Sequence, residues 1–168
     1  MSENTQVHTG LLELPLPTAV NVEHVMDVEI DLDGNHTLQT PVAFRIITVA
    51  GGGTFQGPRV RGTVLAGGGD WVVLGSDRIS RLDVRLTLRT EDNELIYMTC
   101  TGRLAITNKE AAQRYTEGDT ITGTDLEARA QTLFETGAEQ YAWLNSTVNV
   151  SLVEMSRTRV VYRVLALV

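Results

Sequence analysis

Three sets of polar side chains alternate with apolar ones along this chain, and they are the residues best placed to do chemistry. Arg59, Arg61 and Thr63 form one set, Asp83, Arg85 and Thr87 a second, and Tyr97 and Thr99 a third. An acid, fixed cations and a phenol held together suffice for general acid–base catalysis, or for stabilising an oxyanion, without a cofactor. Whether they meet depends on where their strands point. Period-2 alternation puts each set on one face. On the inner face of a closed barrel they form a lumenal cluster; on the outer face they are the wet side of a sheet. Alternation alone favours the wet side, because Leu82, Val84, Leu86 and Leu88 share the opposite face and leucines take the core.

Other motifs carry less. The glycines between Gly51 and Gly69 suggest a phosphate cradle, but a P-loop needs GxxxxGK[ST], and the only lysine is Lys109. The dinucleotide pattern fails at Gln56 and Val72, and both glycine clusters precede strands rather than helices. Bends and bulges that let strands turn and close a barrel explain them better. Glu29, Asp31, Asp33 and Gly34 imitate the start of an EF-hand loop, but Thr40 stands where its bidentate Glu belongs. His8, His24 and His36 have no partner at metal-ligand spacing, so no metal is expected. Cys100 reads as a small buried hydrophobe; as the single cysteine it can form no internal disulfide.

The elements that must position such side chains are strands. Asp27–Asp33, Leu82–Arg89, Ile96–Thr101 and Leu126–Phe134 all alternate, and Glu91-Asp92-Asn93-Glu94 is a hairpin turn. NKEAAQRYTEGD is the one convincing helix, ended at Gly118. βαβ spacings are absent. The pattern predicts an all-β fold: a single antiparallel barrel of about eight to ten strands with one short helix, closed so that strand edges are hidden. Residues 1–20, with Pro15 and Pro17, read as an N-terminal arm and residues 21–168 as the barrel domain.

The totals limit the function. The 168 residues are enough for one domain with a real core. A net charge of −7, with few aromatics near basic runs, argues against a nucleic-acid partner. No apolar run is long enough to cross a bilayer, and the N-terminus lacks the marks of a signal peptide. Cytoplasmic localisation and no membrane partner are therefore expected, with a homodimer as the default assembly.

Three stretches together resemble the DUF3237 family, also called UPF0311: GGTFQGPRVRGTVLAGGGDW at 52–71, LDVRLTLRTEDNELIYMTCTG at 82–102, and FETGAEQYAWLN at 134–145. The resemblance covers about residues 50–168 and implies a lipocalin-like antiparallel β-barrel. Among the family's motif positions, Asp70, Asp83, Arg85, Tyr97, Glu135, Tyr141, Trp143 and Asn145 have chemistry to offer. A motif carrying Asp83, Arg85 and Tyr97 on alternating positions favours the lumen over the wet face. Two departures stand out. The turn usually read as DDG is Glu91-Asp92-Asn93, where Asn93 can take the left-handed conformation. The strand before FET, usually aromatic, is LEARAQTL; if it lines the pocket, the pocket is wider and less aromatic.

Two functions from different classes follow. The first is a cofactor-independent lyase, isomerase or cyclase acting on a small, mostly apolar, oxygenated ligand. Asp83 or Glu135 would move the proton, and Arg85 and Tyr97 would hold a carbonyl or enolate oxygen. Arg59, Arg61, Asp70, Trp71, Tyr141, Trp143 and Asn145 would bind and shape the ligand. The second is a non-catalytic carrier or sensor using the same residues for orientation alone. A buried Asp83–Arg85 ion pair that fixes register would serve neither.

Overall fold

A computed structural model describes residues 19–168. All but the last two residues of the expected N-terminal arm lie outside that range. Nine antiparallel strands form one sheet that closes on itself: β1 (Val22–Gln39), β2 (Phe44–Gln56), β3 (Arg61–Val64), β4 (Gly69–Leu74), β5 (Ser80–Thr90), β6 (Leu95–Ile106), β7 (Leu126–Glu135), β8 (Asn149–Met155) and β9 (Arg159–Leu167). Helix α1 (Lys109–Glu117) lies between β6 and β7. Closure comes from β1, whose first half pairs with β9 and which also pairs with β2 along most of its length. β3 and β4 share a single place in the wall. Between β2 and β5, β3 fills one end and β4 the other.

Alternation in the sequence becomes inside and outside in the wall. β7 is buried at every second residue from Leu126 to Phe134. On β5, Leu82, Val84, Leu86 and Leu88 point inward, each under a tenth exposed. The apolar faces of β1, β5 and β6 meet in one core that includes Met26, Leu88, Ile96 and Met98. That core plugs one end of the barrel. The 3-10 segment Glu139–Ser146 lies across the same end and buries Leu144.

Glycine is required where strands cross too closely for a side chain. A Cβ on Gly62 would stand 2.1 Å from the Arg89 carbonyl oxygen, and one on Gly53 2.0 Å from that of Glu29. These are the sharp bends that a small closed barrel demands. The EF-hand imitation is part of β1 rather than a loop, and Arg159 forms ion pairs with both Glu29 and Asp31. Helix α1 begins at Asn108, whose side chain accepts the Ala111 N–H at 2.7 Å, and ends at left-handed Gly118. Among the described residues, no helix is long and apolar enough to cross a membrane.

Candidate functional site

The unplugged half of the barrel holds a cavity of about 790 Å³. Its walls are mostly aliphatic, from Ile30, Ile46, Val72, Leu82, Val84 and Leu86. At its mouth α1 lies over the barrel end, contributing Lys109, Ala112 and Tyr115 to the lining. β7 contributes nothing to the lining; Ala128 and Ala130 are buried in packed wall, so the LEARAQTL departure does not widen the cavity.

Among the described residues, Asp70 is the one acid that lines the cavity. β4 presents Asp70, Val72 and Leu74 inward and Trp71 outward. The backbone N–H of Asp83 donates to Asp70 Oδ1 at 2.9 Å. That bond falls where the β4–β5 register is interrupted, between the pairs Asp70–Val84 and Val73–Arg81. Burial pushes the Asp70 carboxyl up to about 6; the Asp83 N–H opposes the shift and the Asp83 charge adds to it. Asp70 is therefore mostly ionised at pH 7, roughly one-tenth protonated, and within about one unit of neutrality, as suits a group that takes up and returns a proton.

Asp70 belongs to a row of registered neighbours around the inner wall: Thr48, Asp70, Val84, Cys100, Thr132 and Asn149. The row descends from the cavity into closed core. Thr132 and Ser151 share a hydrogen bond of 2.7 Å there, and the Asn149 amide donates to the Thr132 carbonyl at 2.9 Å. Burial pushes the Cys100 thiol up to about 11, which makes it an unreactive core residue as the sequence suggests.

Tyr162, on β9, also lines the cavity and is only 3% exposed. Burial, with the charges of Cys100 and Asp70, pushes its phenol well above the ordinary range, so it stays a neutral donor. No hydrogen bond to its hydroxyl is found among the described residues, and its side chain lines the cavity. Sequence reasoning missed it. The signal was the alternation Val160, Tyr162, Val164, Ala166, which puts a phenol on an otherwise aliphatic inner face.

The expected catalytic set lies elsewhere. Asp83, Arg85, Tyr97 and Glu135 stand on the outer face of β5, β6 and β7, which corrects the lumenal placement. The leucines of β5 take the inside, and a strand offers only one inner face. Arg85 pairs with Asp83 at 3.2 Å, with its guanidinium 6.0 Å from the Trp71 ring centre, all on the outside. Tyr97 lies opposite Glu135 beside a shallow surface depression that Asn145 also borders.

The remaining candidates hold the closed end together. Arg59 stacks on Trp143 at 4.1 Å, and exposed Arg61 pairs with Glu91 at 2.7 Å. Tyr141 donates to Asp92 at 2.9 Å. Asn145 accepts the Thr136 N–H at 2.8 Å and donates to the Thr136 carbonyl at 3.0 Å, as a strand partner would. Of the eleven candidates, Asp70 alone reaches the cavity.

Solved structures share this fold. A conserved protein of unknown function from Rhodopseudomonas palustris superposes with a TM-score of 0.83 at 20% identity, over 90% of this chain and 100% of its own. A β-barrel-like protein from Acinetobacter baumannii gives 0.74 at 26% identity, over 94% of this chain and 100% of its own. An enzyme from Penicillium herquei gives 0.66 at 21% identity, over 92% and 98% respectively. No curated protein matches the sequence. The family described as "Protein of unknown function (DUF3237)" matches residues 20–167, nearly the whole described barrel, and the chain belongs to that family.

Proposed function

We propose that this protein is a cofactor-independent lyase, isomerase or cyclase. Its substrate is a small, mostly apolar, oxygenated molecule held in the barrel cavity. Asp70 moves the proton, and the Tyr162 phenol donates a hydrogen bond to a carbonyl or developing enolate oxygen. The observation that carries this reading is a carboxyl on the wall of a mostly aliphatic cavity, where burial pushes it up to about 6. Aliphatic walls strengthen both interactions by excluding water. Asp70 replaces Asp83 and Glu135 in the proton-transfer role, and Tyr162 replaces Tyr97.

A carrier is the second reading, supported by the hydrogen bond from Asp83 to Asp70, which gives that carboxylate a structural use. Asp70→Asn separates the two, because the amide oxygen can still accept the Asp83 N–H. Purified protein is incubated with enones, lactones and phenols, with product followed by NMR and binding by thermal shift. Asp70→Asn should keep binding and lose turnover by at least about 100-fold. Turnover that survives in Asp70→Asn removes Asp70 from the mechanism, and binding without turnover in either form makes the protein a carrier.

A further inference from the structure

Among the described residues, every charged side chain that lines the mouth of the cavity is a cation. Arg78 comes from the β4–β5 turn, Lys109 from the first turn of α1 and Arg157 from the β8–β9 turn. The chain as a whole carries −7, and Lys109 is its single lysine. None of the three forms an ion pair among the described residues; Arg157 donates to the Thr116 carbonyl at 3.0 Å, which leaves its charge uncompensated. Two acids of the neighbouring connections are already engaged: Asp77 by Arg81 at 2.7 Å, and Asp125 by Arg114.

Arg78 supplies an independent sign. Its φ is 62°, in the left-handed region that favours glycine or asparagine. The turn is defined by the Arg78 N–H bonding the Gly75 carbonyl at 3.0 Å and the Ile79 N–H bonding Asp77 Oδ1 at 3.0 Å. Neither bond uses the Arg78 side chain. Glycine would suit this turn without strain, and the side chain that arginine adds there lines the cavity.

We infer that the ligand is an amphipathic anion. Its apolar body fills the aliphatic cavity, its oxygen function meets Asp70 and Tyr162, and an anionic group such as a carboxylate stays at the mouth between Arg78, Lys109 and Arg157. The inference rests on the reading that the cavity is the ligand site. It narrows the substrate from an oxygenated apolar molecule to one bearing a negative charge at the end remote from the reacting oxygen.

Two fluorescent probes of similar shape test it: 8-anilinonaphthalene-1-sulfonate, which is anionic, and N-phenyl-1-naphthylamine, which is neutral. Wild type should bind the anion more tightly than the neutral probe. Arg78→Gly suits the left-handed turn and should fold at least as well as wild type. Together with Lys109→Gln, it should weaken the anion by roughly five- to tenfold each and leave the neutral probe unchanged. Thr48→Phe, which fills the cavity, should abolish both. Equal binding of the two probes, with the anion indifferent to both charge-removing variants, overturns the inference and leaves the cavity as a binding site. Binding of neither probe, or binding that survives Thr48→Phe, overturns the cavity reading and the inference with it.

Discussion

Asp70 accepts the Asp83 N–H and is the group proposed to move the proton, and pH separates the two roles. Its folded-state value is about 6 against an ordinary 3.8, so the folded state holds the proton more tightly than the unfolded chain. The associated stability is fully present below pH 3.8 and is lost as pH rises through about 6. A shift of this size corresponds to roughly 3 kcal/mol above the folded value. Asp70→Asn removes that penalty and keeps the acceptor for the Asp83 N–H. Urea midpoints should therefore show the variant more stable than wild type by about 2 kcal/mol at pH 8, with the gap narrowing toward pH 4.5. A gap independent of pH would mean that Asp70 is ionised in the folded protein well below neutrality. Cys100 gives a second residue-scale expectation. With its thiol raised to about 11 and no exposed surface, alkylation by iodoacetamide should need global unfolding and should track denaturant concentration.

At the scale of the elements, alternation was the reliable guide. It put Leu82, Val84, Leu86 and Leu88 inside and left Asp83 and Arg85 outside, as the barrel has them. The resemblance pulled the other way, because motif residues with reactive side chains invite an active-site reading. Here several of those residues tie turns and the closed end: Tyr141 to Asp92, Asn145 to Thr136, Arg59 to Trp143. The hairpin turn was legible in detail, and Asn93 has the left-handed φ of 69° that its replacement of glycine requires. The mouth was not legible, because Arg78, Lys109 and Arg157 come from three separate connections that only the closed ring brings together. The bends make a further prediction. Gly62→Ala drives a methyl into the Arg89 carbonyl and should cost about 3 kcal/mol in thermal or urea unfolding. Gly67→Ala, at an exposed turn with nothing within 4 Å, meets only its φ of 102° and should cost about 1 kcal/mol.

For the whole molecule, the seam between β7 and β8 matters most. These strands share only three registered pairs, Ala130–Ser151, Gln131–Val150 and Thr132–Asn149, whereas β5 and β6 share ten. Beyond Ala130 toward the mouth, Met155 pairs instead with Ile121, from the segment that follows α1. Arg157, one residue past Ser156, donates to the Thr116 carbonyl of α1 at 3.0 Å. The helix over the mouth is thus fastened beside a sparsely paired seam of the wall. Amide hydrogen exchange should be faster along Leu126–Arg129 than along the paired core of β5 and β6. Uniform protection around the ring would show that Ile121 seals the gap as well as a strand does. A tube whose cover is tied to a thinly paired stave couples the two. Met155, Ser156 and Arg157 line the cavity and also flank that stave, so a guest that touches them bears on the fastening of the helix as well as on the wall.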